Sequence, residues 1–351
     1  MIQSEWTFNR ADGCLLPTPV HPLETDSHSP HRRTGLGTPG PLALNQESDQ
    51  DDFKMETDFR HSGWAGNRER VRSSLWRIEP SFTRISNFAS CGTNAWVERC
   101  VQDPDRFRIR SDRCHDRFCL PCGQERSRVI AHNVRERLDP KIARMITLTV
   151  RSLAEPLTDL LDKLYKGFAK LRRSRLWLGT QLGGVAFLEV KWSVERQRWH
   201  PHLHVLAEGK YIAKPALSAS WLKATRDSFI VDVGKIKSIE SVVSYVVKYA
   251  SKPMDASLFQ DWNRLDEAIL ALKGRRLALT FGSWRGIKLM EVPGDDEWEV
   301  VCSLVAFIGR ARKGDAQAAK VLRRSPLHEF PSECRAPPVD WNPDYLEFSD
   351  D

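Results

Sequence analysis

Three histidines, His200, His202 and His204, stand at alternate positions in a short segment of the chain. Residues two apart on a β-strand share a face, so His202 and His204 would project together while Leu203 enters the core. Two imidazoles on one face offer two nitrogen ligands to a divalent cation. His200 precedes a proline, which favours a turn there. A pair of exposed strand histidines without a metal is the alternative interpretation.

A carboxylate on the preceding strand is the predicted third ligand. If a hairpin turn centres near Arg196–Gln197, Glu189 sits opposite His204, and the apolar neighbours of Glu189 point into the core. A carboxylate on an otherwise apolar strand needs a polar partner. Glu189, His202 and His204 would leave coordination positions open for water or a phosphate oxygen. A slip of the register by one residue would turn Glu189 to the other face.

Two tyrosines lie one turn apart on a predicted amphipathic helix, Ile239–Ala250. Tyr245 and Tyr249 fall about 40° apart, away from the centre of the apolar stripe, and Lys248 lies on the exposed side of Tyr245. A phenol titrates near pH ~10 and is a poor nucleophile at neutral pH. A metal that polarises a phosphate, together with a nearby ammonium group, would remove that difficulty. Half-buried packing tyrosines are the alternative.

Cysteines are crowded into one stretch of the chain. The spacing Cys119-x2-Cys122 is typical of a zinc knuckle, and Cys114 with either Cys91 or Cys100 would complete a tetrahedral Zn²⁺ site. The preferred set is Cys91, Cys114, Cys119 and Cys122, with Cys100 as the alternate. Structural zinc would hold together a segment with too little apolar core to fold alone. Reduced thiols without a metal remain the alternative.

The order of periodic segments predicts the fold that carries these residues. Met145–Val150 is typical of a buried strand, Leu157–Leu171 of an amphipathic helix, and Gly184–Val194 with His202–Ala207 of a hairpin. A helix, a strand and the tyrosine helix follow. The order β-α-β-β-α-β-α predicts an α+β fold with a mostly antiparallel sheet and helices on one face.

Five segments are predicted. They are a disordered acidic tail over 1–75, a Cys/Arg-rich zinc-binding segment over 80–135, an α+β domain over 140–290, a C-terminal extension over 291–324 and a second acidic tail over 325–351.

Charge and composition narrow the class of protein. The formal net charge is +7, but residues 1–60 carry −5, residues 325–351 carry −6 and residues 61–324 carry +18. A basic body favours a polyanionic partner, nucleic acid first. Ten arginines and no lysine between 99 and 137, interleaved with aromatic residues, suit phosphate contacts and base stacking. No apolar run reaches 18 residues and no secretion signal is present, so no membrane span and a cytoplasmic location are expected.

Together the motifs resemble a known family. Ile146-Thr-Leu-Thr149, His202-Leu-His204 and Tyr245-Val-Val-Lys-Tyr249 occur in the order of the three motifs of HUH endonucleases. More closely, the chain resembles the rolling-circle replication initiators of small bacterial plasmids, because Cys91-Gly92 and the C-x4-C-x2-C run ending at Cys122 are similar to their cysteine-rich stretch. The resemblance spans about 90–285 and leaves both tails unexplained.

The resemblance implies a role for each motif residue. His202 and His204, with Glu189, would bind Mg²⁺ or Mn²⁺. Tyr245 would attack a DNA phosphodiester, leaving a 5′-phosphotyrosine and a free 3′-hydroxyl. Lys248 would steady the phosphate, and Tyr249 looks like the second tyrosine of two-tyrosine members. Some plasmid initiators have a Glu four residues before the tyrosine, whereas Glu240 lies five before it, so termination by Tyr249 or by Glu240 stays open.

The implied partners are DNA and host proteins. Single-stranded or cruciform origin DNA would be the substrate, and a host polymerase would extend the 3′-hydroxyl. The sequence contains no G-x4-G-K-[ST] motif, so strand separation is expected to need a host helicase. A single-strand transposase with the same chemistry is one alternative. A zinc-dependent DNA-binding regulator without catalysis is the alternative from another class.

Overall fold

Two antiparallel sheets organise the part of the chain that the computed structural model describes, residues 46–324 apart from 237, 239, 241, 243–245, 247–255 and 293–295. The strands are β1 (Trp96–Cys100), β2 (Phe107–Arg110), β3 (Ala143–Thr149), β4 (Gln181–Ser193), β5 (Arg198–Gly209), β6 (Val231–Lys235), β7 (Ala278–Gly282) and β8 (Trp298–Ser303). The five-stranded sheet has the order β6-β3-β5-β4-β7, and the three-stranded sheet has the order β2-β1-β8. The predicted α+β class with antiparallel pairing is confirmed.

Helices account for most of the remaining described residues. They are α1 (Gln46–Arg60), α2 (Ala65–Ile78), α3 (Phe82–Ala89), α4 (Leu120–Arg135), α5 (Leu157–Leu171), α6 (Arg175–Leu178), α7 (Lys214–Thr225), α8 (Trp262–Leu272), α9 (Leu304–Arg312) and α10 (Ala316–Arg324). No helix among these residues is long and apolar enough to cross a membrane.

The five-stranded sheet is covered on both faces. On one face Leu188 and Leu203 pack with the apolar residues of α5, α7 and α8. On the other face Phe187 and Leu206 pack with Val134 of α4 and with other residues of a second cluster. The expectation of helices on one face is therefore wrong. The alternation of the hairpin strands predicts which residues share a face, but only packing shows what covers each face.

Helix α5 shows how the sequence pattern produces the core. Its leucines recur at helical spacing, are fully buried and face the sheet. Gly167 lies where α5 crosses α7, and a Cβ there would come within 2.7 Å of the Thr225 Cγ2 atom and 3.0 Å of the Trp221 ring. The glycine therefore permits the close approach of the two helices.

Residues 46–75, predicted as part of a disordered tail, form helices in the structure. Val71 and Leu75 of α2 are fully buried, and Trp64 packs against Phe88 at a ring-centroid distance of 6.5 Å. Helix α1 buries polar side chains, among them Glu56, whose Oε1 accepts a hydrogen bond from the backbone N–H of Ala95 at 3.0 Å. Apolar periodicity misses such a helix because its buried face is polar. Residues 1–45 and 325–351 lie outside the described residues.

The predicted C-terminal extension completes the second sheet. Strand β8 pairs with β1, with Cys100 opposite Trp298 and Arg99 opposite Glu299. Phe307 of α9 is buried with Val97 and Phe107 in the core of this sheet. Residues 291–324 are thus joined to the Cys/Arg-rich segment, although about two hundred residues separate them in the sequence.

A buried carboxylate ties α2, α3 and α8 together. Glu79, whose side chain is 2% exposed, accepts hydrogen bonds from Arg84 at 2.7 Å, from Lys273 at 2.9 Å and from the backbone N–H of Ser81 at 3.1 Å. Burial raises the pKa of Glu79, but these hydrogen bonds outweigh burial and lower its pKa to about 2 from the ordinary 4.5.

We expect Glu79→Gln to lower the free energy of unfolding at pH 7 by about 1–3 kcal/mol, because the ionised carboxylate is lost from its hydrogen bonds. A depressed pKa contributes stability above the unfolded pKa near 4.5 and loses it as the pH falls towards 2. In urea unfolding measured from pH 7 down to pH 3, the free energies of unfolding of the wild type and the variant should therefore converge. Glu136→Gln, at a 56% exposed side chain, is the control. A difference that is constant with pH contradicts the prediction.

Candidate metal centres

Four cysteine sulfurs meet at one point in the structure. The Sγ atoms of Cys91, Cys114, Cys119 and Cys122 all lie within 4.8 Å of one another. Three of the separations are 3.8 Å for Cys91–Cys119, 3.6 Å for Cys91–Cys122 and 3.7 Å for Cys114–Cys122. A tetrahedron of thiolates about 2.3 Å from a zinc ion has edges of about 3.8 Å. The four residues therefore fit a tetrahedral Zn²⁺ ion.

Each cysteine is placed by a different local structure. Cys91 follows the end of α3, Cys114 lies in the loop after β2, Cys119 is the N-cap of α4 and Cys122 lies in the first turn of that helix. A helix N-terminus favours negative charge, so it favours thiolates at Cys119 and Cys122. Cys100 is placed elsewhere, buried in β1 with its Sγ 3.3 Å from Oε1 of Gln102.

The last residue of α1 and the residue after it supply polar groups around the sulfurs. Nη2 of Arg60 lies 3.7 Å from Sγ of Cys122 and 2.5 Å from Oε1 of Glu125, and Nε2 of His61 lies 3.7 Å from Sγ of Cys119. Gly92, with φ of +103°, allows this approach, because a Cβ there would lie 3.0 Å from Cβ of Arg60. The sequence reasoning missed Arg60 and His61 because it assigned them to a tail.

The four thiols cannot all be ionised side by side without a cation. Hydrogen bonds from Cys114, Cys119 and Cys122 lower the pKa of Cys91, whereas the pKa of Cys114 is raised by its sulfur neighbours and by burial. A metal cation would stabilise the thiolate form of all four sulfurs and would add its binding free energy to the stability of the fold.

The β4–β5 hairpin sets the register of the histidine face, which is the face of the five-stranded sheet that carries Glu189, His202 and His204. Glu189 pairs with His202, and Phe187 pairs with His204. The expectation that Glu189 lies opposite His204 is therefore wrong by two residues, because the turn is closed by the pair Ser193–Arg198. Side chains alternate with a period of two, so this shift leaves Glu189 on the same face as both histidines.

Hydrogen bonds orient the histidine rings on this face. Nε2 of His204 lies 2.9 Å from Oε2 of Glu189, and Nδ1 of His202 lies 2.9 Å from Oγ1 of Thr149. Thr147 is 3.4 Å from Nδ1 of His204. Both threonines belong to β3, which pairs with β5 so that Thr147 faces His204 and Thr149 faces His202. The alternating threonines of β3 were the sequence signal for this ring-orienting role, which the sequence reasoning did not assign.

The protonation states on this face suit a metal ligand set. Burial, followed by the charge of His200, lowers the pKa of His202 to about 3, so this imidazole is neutral at pH 7. Burial raises the pKa of Glu189, but the hydrogen bond with His204 and the charge of Lys191, 3.3 Å away, outweigh burial and lower it. An anionic carboxylate and a neutral imidazole are the forms that bind a divalent cation.

The donor atoms of Glu189, His202 and His204 do not all lie within 4.8 Å of one another in this structure. Among the described residues, the four cysteines form the only group of three or more metal-binding side chains whose donor atoms all lie within 4.8 Å. Glu189 and His204 are in direct contact, whereas the ring of His202 lies 6.0 Å from that of His204, centroid to centroid, and is hydrogen-bonded to Thr149. The structure thus brings two of the three predicted ligands into contact and places the third beside them.

Tyr245, Lys248 and Tyr249 lie outside the described residues. Two described residues of the same segment, Val242 and Val246, are fully buried in the cluster that also contains Phe187 and Leu206. Phe187 pairs with His204, and Leu206 lies two residues beyond His204 on β5. Val242 and Val246 therefore pack on the histidine face of the sheet. Glu240 is exposed.

Comparisons with known proteins agree on one family. A family model described as "Replication protein" matches residues 107–301, more than half of the chain. The chain is similar to proteins named "Protein rep" from Bacillus amyloliquefaciens (24% identical over 222 residues, 54% of this chain and 65% of the relative), from Bacillus sp (28% over 155 residues, 39% and 50%) and from Streptococcus pneumoniae (22% over 197 residues, 49% and 61%). The matched segments thus span between half and 65% of those relatives. No solved structure gives a significant match.

We expect the purified protein to contain about one zinc ion per chain, because a site of four cysteines of this size is typical of structural zinc. Cys114→Ser should lose most of the zinc and lower the melting temperature. Cys100→Ser is the matched control, since Cys100 lies in β1 away from the cluster. Elemental analysis and thermal unfolding measure both effects. Zinc-free wild type, or equal zinc loss in both variants, contradicts the prediction.

Proposed function

The chain belongs to the replication protein family, and from that premise we propose that it initiates rolling-circle replication by nicking one strand of origin DNA. The proposal is supported by the observation that Glu189, His202 and His204 share one face of the sheet with Val242 and Val246. Tyr245 lies next to Val246 in the sequence. We therefore propose that Tyr245 meets a metal-bound phosphate beside the histidines.

The proposed reaction is a transesterification with Tyr245 as nucleophile. The Tyr245 oxygen bonds to phosphorus and the bond between phosphorus and the 3′ oxygen breaks. The phenol loses its proton and the 3′ oxygen gains one, which leaves a 5′-phosphotyrosine and a 3′-hydroxyl. Mg²⁺ or Mn²⁺, when bound, would polarise the scissile phosphate. Lys248 would steady the charge on the phosphate oxygens, and Tyr249 would serve as a second nucleophile.

The protein's own groups prepare the site for this reaction. Thr147 and Thr149 hold the imidazole rings by their Nδ1 atoms, which limits ring rotation on the histidine face of the sheet. Lys191, 3.3 Å from Glu189, adds positive charge where a phosphate would approach. We propose that a host polymerase extends the 3′-hydroxyl and that a host helicase separates the strands. The four-cysteine cluster would hold zinc and fix the start of α4.

The first experiment tests for a covalent intermediate. Purified protein, Mn²⁺ and a labelled single-stranded DNA pool from its own replicon are mixed, and label on the protein band is sought after denaturing electrophoresis. We expect the wild type to retain label and Tyr245→Phe to lose it, because the variant has no hydroxyl to form the ester. Label lost only in the Tyr245→Phe/Tyr249→Phe double variant would mean that both tyrosines act. If the wild type forms no adduct, the nicking proposal is wrong.

A second experiment tests the metal. Glu189→Gln removes the negative charge while it keeps a hydrogen-bonding side chain beside His204. At limiting Mn²⁺ the adduct yield should fall about 10–100-fold, and higher Mn²⁺ should restore part of it. Single-stranded DNA affinity without metal should not change. Glu299→Gln, on the second sheet, is the control. An unchanged Mn²⁺ dependence in Glu189→Gln would remove Glu189 from the ligand set.

A further inference from the structure

A groove of about 790 Å³ lies at the hairpin end of the five-stranded sheet. Its walls are the residues after β3 (150–153), the β4–β5 turn (193–198) and the loop before β6 (227–230). Thr149 and His200 also line it. Thr149 is hydrogen-bonded to His202, and the rings of His200 and His202 are 4.3 Å apart, centroid to centroid. The groove is therefore continuous with the histidine face.

Three arginines, Arg151, Arg196 and Arg198, and two carboxylates, Glu195 and Asp227, line the groove. Neither Arg151 nor Arg196 makes a side-chain ion pair with another described residue, and both are exposed. Of the acidic lining residues, Asp227 is ion-paired with Lys163 at 2.5 Å, and Glu195 is exposed on the turn. Two exposed guanidinium groups on two different walls suit successive phosphates of a strand.

The walls are held in place by hydrogen bonds. Nη1 of Arg198 donates to the carbonyl of Ser152 at 2.8 Å, which joins the turn to the segment after β3. The backbone N–H of Arg151 donates to Oγ of Ser228 at 2.8 Å, which joins that segment to the loop before β6. All three walls are therefore linked, and the groove is formed before any ligand binds.

Apolar side chains are exposed along the same groove. Phe229 is 59% exposed, and Leu153 and Ile230 are exposed to a similar extent. The carbonyl of Phe229 accepts a hydrogen bond from Oγ of Ser218 at 2.6 Å, which anchors its backbone. An exposed aromatic ring beside exposed arginines is the combination that binds unpaired bases, because the ring stacks on a base while cations contact the phosphates.

We propose that this groove binds single-stranded DNA beside the scissile phosphate. Phe229 stacks on a base, and Arg151 and Arg196 contact the phosphates on either side of it. The inference rests on the proposed function, since the nicking reaction is what makes the neighbouring histidine face the site of the scissile phosphate. A volume of about 790 Å³ lies within the range of pockets that hold small ligands, which limits the contact to one or two nucleotides.

The test measures the binding of fluorescein-labelled (dT)12 to the full chain by fluorescence anisotropy, in the absence of divalent metal. Phe229→Ala should raise Kd about 5–100-fold, and Phe229→Tyr should restore binding because the ring is kept. Arg151→Ala/Arg196→Ala should lower the slope of log Kd against log salt by about 1.4, two phosphates at about 0.7 each. The matched controls, Phe82→Ala at a 70% exposed ring and Arg312→Ala/Arg323→Ala, should bind as the wild type does.

The outcomes separate the groove from the nicking reaction. Groove variants that bind (dT)12 as tightly as the wild type overturn the inference, even if the wild type forms the tyrosine adduct. Groove variants that lose binding support it, even if no adduct forms and the nicking proposal fails. Wild type that does not bind (dT)12, or that binds (rU)12 more tightly through the same residues, also overturns it. Thermal unfolding of each variant, expected to match the wild type, checks that the fold is intact.

Discussion

The pairing of β4 with β5 is the constraint on which the rest of the molecule depends. It sets Glu189 beside His202 and Phe187 beside His204, and it sends Leu188 and Leu203 to the opposite face. One face then carries polar ligands at the hairpin end and apolar residues further along, and the other face carries the main core. A slip of one residue would bury the carboxylate and the imidazoles in that core, at a large cost in desolvation.

Helix α4 connects the two candidate metal centres. Its first turn contains Cys122, and its later residues Ile130 and Val134 pack with Phe187 on the histidine face. The cysteine cluster joins this helix start to α3 and to the loop after β2. Arg60 and Glu125 form an ion pair next to the cysteine cluster. A metal at the cysteines would thus stabilise the helix that covers the sheet next to the histidines, although it takes no part in chemistry there.

The second sheet and the groove extend the surface around this centre. Strand β8 pairs with β1, which follows Cys91 after a short turn, so the C-terminal helices α9 and α10 are held close to the cysteine-rich segment. At the turn of the β4–β5 hairpin, this turn and the loops beside it carry Arg151, Arg196 and Phe229 next to the histidines. Both surfaces are rich in arginine, in keeping with the net charge of +18 between residues 61 and 324.

Local periodicity and spacing were enough to predict α5, the hairpin, the shared face of His202 and His204, and the meeting of Cys114, Cys119 and Cys122, but they left Cys91 and Cys100 as alternatives for the fourth cysteine. Each of these depends on residues close in sequence, or on a repeat of two or 3.6 residues. Only the tertiary structure decided the exact hairpin pairing, the approach of Arg60 and His61 to the sulfurs, and the β1–β8 pairing. These contacts depend on how distant segments pack, and a polar buried face such as that of α1 leaves no apolar period in the sequence from which packing could be predicted.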